Sequence, residues 1–128
     1  MKVVAAHDAG RIVNPALFEG QVEGAVHMGL GYALSENLPM RDGRLVSSRF
    51  RDLGIVPISE VPEISVKAVE VHDPHGPYGA KGVGEIGLVA TAGALANAYF
   101  QYDGIRRYSL PLAGPDQAAH QEWKKGRK

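Results

Sequence analysis

Cysteine is absent from all 128 residues, so disulfides, thiolate-bound metals and cysteine nucleophiles are excluded. An excess of charge of either sign is also absent, because fourteen basic residues balance fourteen acidic ones. The net charge therefore gives no attraction to nucleic acid. No apolar run approaches the roughly 20 residues of a membrane span, and the N-terminal stretch lacks the apolar core of a signal peptide. We expect a cytoplasmic protein that binds neither nucleic acid nor membranes.

Glycine, by contrast, is abundant. Sixteen of the 128 residues are glycine, well above an average share of about 7%. They concentrate in two segments, Gly20–Gly31 and Gly76–Gly93, and both segments also contain many apolar residues. This pattern favours close approach of backbones over a disordered linker.

The order of apolar residues and turn formers predicts an α+β fold with a small mixed sheet and two main helices. Asn14 is a suitable N-cap and Pro15 suits the first position of a helix. The predicted elements are strands over 2–6, 63–71 and 105–110, helices over 16–36 and 88–102, and a hairpin or short strand pair within 37–48. Residues 1–112 are expected to form one portion of a domain, and 113–128 a tail that is partly helical or frayed.

Four glycines lie inside the first predicted helix: Gly20, Gly24, Gly29 and Gly31. Each costs about 0.8–1 kcal/mol relative to alanine in a helix interior. Gly20 and Gly24 share one face, and Gln21 lies beside it with an amide donor and acceptor. Such a face admits another backbone or a flat ligand at short range. Tight packing within the protein, with Gln21 merely exposed, is the alternative.

A glycine-rich loop precedes the second predicted helix and contains the sequence GVGEIG, which satisfies G-x-G-x-x-G. A dinucleotide site is disfavoured because the loop does not directly follow a strand and because Glu85 would repel a pyrophosphate. The loop can instead present Glu85 as a general base, which needs a carboxylate within hydrogen-bond reach of its proton. Alternatively, Glu85 only complements the dipole at the start of a helix.

Two stretches together resemble the xanthine dehydrogenase/aldehyde oxidase family of molybdenum hydroxylases. They are GRIVNPALFEGQVEGAVHMGLGYALSE, residues 10–36, and GPYGAKGVGEIG, residues 76–87. Their order and separation also match, and the resemblance covers roughly residues 3–112. It implies that this chain corresponds to the C-terminal part of the large molybdopterin-binding subunit. The expected fold is then a sub-region of the molybdopterin-binding domain.

The resemblance also implies roles for particular residues. Glu85 corresponds to the general base that takes a proton from a hydroxyl on molybdenum. The reaction is a water-derived hydroxylation of an aldehyde or an N-heterocycle. Gln21 corresponds to a contact with molybdopterin, Gly82 and Gly84 are expected to bind the same cofactor, and the segment 81–84 is expected near the metal. No protein side chain is expected to ligate a metal.

The family's subunit is several times longer than this chain, and its other cofactor-binding segments are missing here. We therefore expect a fragment or split subunit that is inactive alone. Its expected partners are the remainder of the molybdopterin subunit, subunits that carry iron–sulfur clusters and FAD, and a small-molecule substrate. The alternative is a non-catalytic remnant or assembly module without bound cofactor.

Histidines provide two weaker candidates for a site. His72 and His75 have the spacing H-x-x-H, but no carboxylate at helical spacing completes a metal site, and Asp73-Pro74 is typical of a turn. His7 and Asp8 could form a hydrogen-bonded pair.

Overall fold

A parallel pairing of two distant strands organises residues 2–112, which are the residues that the computed structural model describes. Strand β1 (Lys2–Asp8) pairs with β4 (Glu63–Val69), from Lys2 opposite Glu63 to Asp8 opposite Val69. Between them lie helix α1 (Pro15–Leu34) and an antiparallel hairpin of β2 (Met40–Arg41) and β3 (Arg44–Leu45). Helices α2 (Ile86–Val89) and α3 (Thr91–Asp103) follow β4. The predicted α+β fold with two main helices is confirmed.

Helix α1 begins where the sequence predicts it. The Asn14 side chain accepts a hydrogen bond from the Leu17 amide at 3.1 Å, and Pro15 occupies the first helical position. These two residues satisfy or remove amide donors that the first turn would otherwise leave without partners. One face of the helix supplies most of the apolar core, through Phe18, Val22, Ala25, Val26, Leu30 and Ala33.

The β1–β4 sheet is covered on one face only. Ala5 is buried against the core, and Val3, Ile64 and Val66 pack beside it. On the opposite face Val4 is 62% exposed. Parallel sheets normally have both faces covered. Residues 2–112 therefore leave exposed a mixed sheet face, on which Val4 lies beside the charged Lys2 and Glu63.

Several element boundaries differ from the prediction, and α1 ends at Leu34 rather than at residue 36. Strand β1 continues to Asp8, and β4 ends at Val69. The second predicted helix starts earlier, at Ile86, and is divided at Ala90 into α2 and α3. Gly104 ends α3 in the left-handed conformation at φ 71°, which glycine adopts without steric cost.

The predicted strand over 105–110 is wrong, because this segment folds back onto α3 instead of joining a sheet. The Arg107 guanidinium pairs with the Asp103 carboxylate at 2.6 Å, and the Arg106 guanidinium lies 3.9 Å from the centre of the Phe100 ring. These side-chain contacts outweigh the β propensity of the segment, for which the described residues provide no partner strand. The predicted tail over 113–128 lies outside the described residues. No helix within 2–112 is long and apolar enough to cross a membrane.

Candidate functional site

The two glycine-rich stretches meet at one hydrogen bond. The Nε2 atom of Gln21, on α1, donates to the carbonyl oxygen of Gly84 at 3.0 Å, although 63 residues separate them. Gly84 directly precedes Glu85, which occupies the N-cap position of α2. The structure therefore brings together Gln21, Gly84 and Glu85, which the sequence analysis selected from separate motifs.

Two other glycines explain why the loop reaches α1. A Cβ atom added to Gly87 would lie 2.8 Å from the Cβ of Ala25, and one added to Gly29 would lie 2.6 Å from the Cβ of Thr91. Real Cβ atoms do not approach so closely, so glycine permits α2 and α3 to lie directly against α1. The Thr91 hydroxyl also donates to the Gly87 carbonyl at 2.9 Å, which joins α3 to α2. Close packing is thus the correct interpretation for Gly29.

A different explanation is needed for the glycines that surround Gln21. Gly20, Gly24, Gly82 and Gly84 are exposed, and a Cβ added to any of them would meet no atom of residues 2–112 within 4 Å. None of the four has the positive φ that requires glycine. Internal packing and backbone conformation therefore do not account for them. We call these four exposed glycines the open glycine surface, in which the Gln21–Gly84 hydrogen bond joins the α1 pair to the loop pair.

Glu85 stands at the edge of the open glycine surface with its side chain exposed. The side chain makes no capping hydrogen bond to α2. Among the contacts of residues 2–112, no hydrogen bond or ion pair involves the Glu85 carboxylate. Both of its oxygens are therefore available to a ligand or substrate.

The entrance of the loop is held by an ion pair that the sequence analysis did not predict. The Lys81 ammonium bonds to the Asp8 carboxylate at the end of β1, 73 residues away. The Asp8 carboxylate also accepts from the amides of Gly10 at 2.9 Å and Val71 at 3.1 Å. The Lys81 hydrogen bond, helped by the two amides, lowers the pKa of Asp8 to about 2. Asp8 therefore bonds to the loop, and the described contacts do not include the predicted pairing with His7.

The first turn of the loop packs closely against the segment that follows β1. Gly10 has φ +58°, and a Cβ on it would lie 2.3 Å from the Gly79 carbonyl oxygen. That oxygen accepts from the Arg11 amide at 2.9 Å. The His72 ring lies beside Gly79, and the described part of the chain has no group of three or more histidine and carboxylate side chains placed to hold a metal ion. His72 thus contributes to the packing of the turn.

Comparison with known proteins shows which family the chain resembles. Residues 1–62 match the family described as the molybdopterin cofactor-binding domain. A probable xanthine dehydrogenase subunit of Bacillus subtilis is 36% identical over 105 residues, which are 82% of this chain and 14% of that protein. The putative xanthine dehydrogenase molybdenum-binding subunit XdhA of Escherichia coli is 33% identical over 113 residues, 87% of this chain and 15% of that one.

Solved structures show the same likeness. Quinoline 2-oxidoreductase from Pseudomonas putida 86 superposes with a TM-score of 0.76 and 28% identity, covering 85% of this chain and 14% of that one. The aldehyde oxidoreductase of Desulfovibrio gigas gives a TM-score of 0.76 and 31% identity, over 84% of this chain and 12% of that one. The curated relatives named above are much longer than this chain, which spans about one-seventh of their length.

These relatives, together with the fold, show that the chain is similar to the molybdopterin-binding domains of molybdenum oxidoreductases. More particularly, the chain belongs to the xanthine dehydrogenase/aldehyde oxidase family of molybdenum hydroxylases, as the paired motifs predict.

Proposed function

We propose that this chain supplies the catalytic base and part of the cofactor-binding surface of a molybdenum hydroxylase. Glu85 is the base, and Gln21, Gly82 and Gly84 contact molybdopterin. The observation that carries the proposal is the Gln21–Gly84 hydrogen bond, which places a free carboxylate at the edge of the open glycine surface.

The residues around Gln21 fit a flat, polar cofactor. The Gln21 carboxamide uses its Nε2 atom on Gly84, and the contacts within residues 2–112 give its oxygen no donor. That oxygen can accept a hydrogen bond from a ring or amino N–H group. Gly20 and Gly24 allow a ring system to lie directly on the backbone of α1, because no side chain intervenes. Relative to alanine, each of these glycines lowers helix stability by about 0.8–1 kcal/mol. Cofactor binding is a use that would offset this cost.

The molybdenum–molybdopterin group, when bound, supplies the two-electron oxidation and the water-derived oxygen of the reaction. The chain's own contribution is a proton acceptor at a defined place. Glu85 is held on its N-terminal side by the Gln21–Gly84 bond and on its C-terminal side by the packing of Gly87 against Ala25. Holding a base within reach of its proton typically contributes 10²–10⁴-fold to a rate.

A complete site of this kind requires more polypeptide than residues 2–112 provide. The chain spans only 14% of its Bacillus subtilis relative, and one face of the β1–β4 sheet is exposed at Val4. We infer that the remaining portion of the molybdopterin subunit covers this face, and that partner subunits carry iron–sulfur clusters and FAD. The substrate class we propose is an aldehyde or an N-heterocycle, in line with the aldehyde and quinoline oxidoreductases above.

A non-catalytic assembly module is the competing function. Such a module would be expected to cover the face of Gly20 and Gly24 with protein. Within residues 2–112 this face is uncovered, which favours the cofactor-binding proposal.

Replacement of Glu85 by glutamine tests the proposal directly. The variant chain is assembled with the remaining subunit portions, and turnover is measured together with molybdenum and molybdopterin content. We expect turnover to fall by about 10²-fold or more while both contents stay unchanged. Glu60→Gln is the matched control, because Glu60 is also exposed and lies in a short turn away from Gln21. Unchanged turnover in Glu85→Gln would refute the assignment of the base.

A further inference from the structure

The loop that carries Glu85 has few residues able to hold it in place. Between Lys81 and Glu85 lie only Gly82, Val83 and Gly84, and the two glycines are exposed with no protein atom near their Cβ positions. Glycine has the largest backbone freedom of any residue, so ordering this segment is entropically costly. Val83 packs against the hydrophobic core and Gly87 packs against α1, so the contacts at Lys81 and Gly84 act together with this packing to set the position of Glu85.

The exit of the segment is held by Gln21, and the entrance by Asp8. At the entrance the Lys81 amide donates to the Ala9 carbonyl at 2.9 Å, and the Lys81 ammonium pairs with Asp8. The backbone bond and the ion pair together hold both the main chain and the side chain of Lys81. These contacts fix the entrance of the segment, while the packing of Val83 and the Gln21–Gly84 bond fix its middle and its exit.

Asp8 is suited to hold this position because its own carboxylate is immobilised. One oxygen accepts from the amides of Gly10 and Val71, and the other bonds to Lys81. The carboxylate therefore joins the end of β1, the segment leaving β4 and the loop. The low pKa of Asp8, about 2, is consistent with a carboxylate that stays charged under all ordinary conditions.

The same sheet contains a useful comparison. A second ion pair of β1, between Lys2 and Glu63 at 2.6 Å, joins this strand to β4. Its side chains are 54% and 70% exposed. Those of Lys81 and Asp8 are 31% and 33% exposed. Solvent screens exposed pairs strongly, so the Lys81–Asp8 pair is the one able to constrain its surroundings.

We propose that Asp8 and Lys81 are a positioning pair that sets the place of Glu85 relative to the open glycine surface. The pair does not touch the substrate and acts only through the loop. This inference rests on the proposed function of Glu85 as the base.

The test uses the assembled enzyme with Lys81→Met, which keeps most of the length of the unbranched side chain and removes its charged amine. We expect kcat to fall by roughly 10- to 100-fold with little change in KM and in molybdopterin content, because a base displaced by about an ångström loses its alignment. Hydrogen exchange in the peptide 79–89 should become faster, since it contains the Lys81 amide bonded to Ala9 and the Leu88 amide bonded to Glu85. Lys81→Arg should restore much of both properties.

Lys2→Met is the control, because it breaks the other lysine–carboxylate pair of β1, which joins this strand to β4 and not to the loop. It should leave kcat and exchange in 79–89 unchanged. If Lys81→Met changes neither property, or accelerates exchange equally throughout β1 and β4, the positioning role is overturned. Glu85→Gln separates the two proposals: it should abolish turnover without changing exchange in 79–89. If Glu85→Gln leaves turnover intact, both proposals fall, whereas failure of Lys81→Met alone overturns only the positioning pair.

Discussion

Two glycines of α1 have the same local setting and opposite tertiary surroundings, which makes a sharp experiment possible. Gly24 and Gly29 both lie in the interior of the helix Pro15–Leu34. A Cβ on Gly24 would meet no atom within 4 Å, whereas a Cβ on Gly29 would lie 2.6 Å from the Cβ of Thr91. Substitution by alanine should therefore stabilise the chain at Gly24 and strain it at Gly29.

The magnitudes follow from helix propensity and packing. Alanine gains about 0.8–1 kcal/mol over glycine in a helix interior, and this gain is common to both substitutions. Gly29→Ala also requires α3 to move away from α1, because the atom it meets in Thr91 is next to the backbone and cannot rotate away. Overpacking of this kind costs about 1–3 kcal/mol. The common gain cancels in the comparison, so Gly24→Ala should be more stable than Gly29→Ala by about 1–3 kcal/mol.

Urea unfolding of the full chain, followed by circular dichroism, measures this difference. An entropy of unfolding near 2.1 cal/mol/K per residue also predicts that Gly24→Ala melts roughly 4–11 °C above Gly29→Ala. If Gly29→Ala is as stable as Gly24→Ala or more so, the close contact between α1 and α3 is not as described. The explanation of these glycines by tertiary contact would then be refuted.

Three further predictions concern the same elements. In the assembled enzyme Gly24→Ala should lower molybdopterin content although it stabilises the chain, because the new methyl group lies on the open glycine surface; unchanged content would argue against cofactor binding there. Asn14→Ala removes the cap bonded to the Leu17 amide and should lower the unfolding free energy by about 0.5–2 kcal/mol, with Asn14→Asp close to the original chain in the same urea titration. Folding lowers the pKa of Asp8 from its usual 3.8 to about 2. The charged carboxylate therefore stabilises the fold fully at pH values above 3.8, and this stabilisation is lost as the pH falls to the pKa of the folded state. Asp8→Asn should therefore destabilise the chain clearly at neutral pH and much less at about pH 2, and an equal effect at both would contradict the role of the charge.

The part of the candidate site that lies within sequence motifs could be predicted. Gln21 and Glu85 could be selected because each lies in a glycine-rich stretch typical of one family, and the structure brings Gln21 into contact with the residue before Glu85. The pairing of Asp8 with Lys81 could not be predicted in this way. They are 73 residues apart, and an aspartate after a strand and a lysine in a loop are ordinary in any sequence.

Elements held by local interactions were predicted well, and those held by distant contacts were not. Asn14 and Pro15 start α1 through bonds within one turn, and Gly104 ends α3 through its own backbone conformation. The segment 105–110 has the composition of a strand, but Arg106 and Arg107 bind it to α3. Whether such a segment becomes a strand depends on a partner strand, which its own residues do not specify.

The main helices, the two long strands and the family can all be recognised in the sequence, because capping, periodicity and motifs act over a few residues. What each glycine does becomes visible only when the chain is folded. Gly29 and Gly87 admit neighbouring helices, whereas Gly24 and Gly82 leave the open glycine surface uncovered. All four residues are glycine. The role of each one depends on which atoms, if any, the fold places where a side chain would lie.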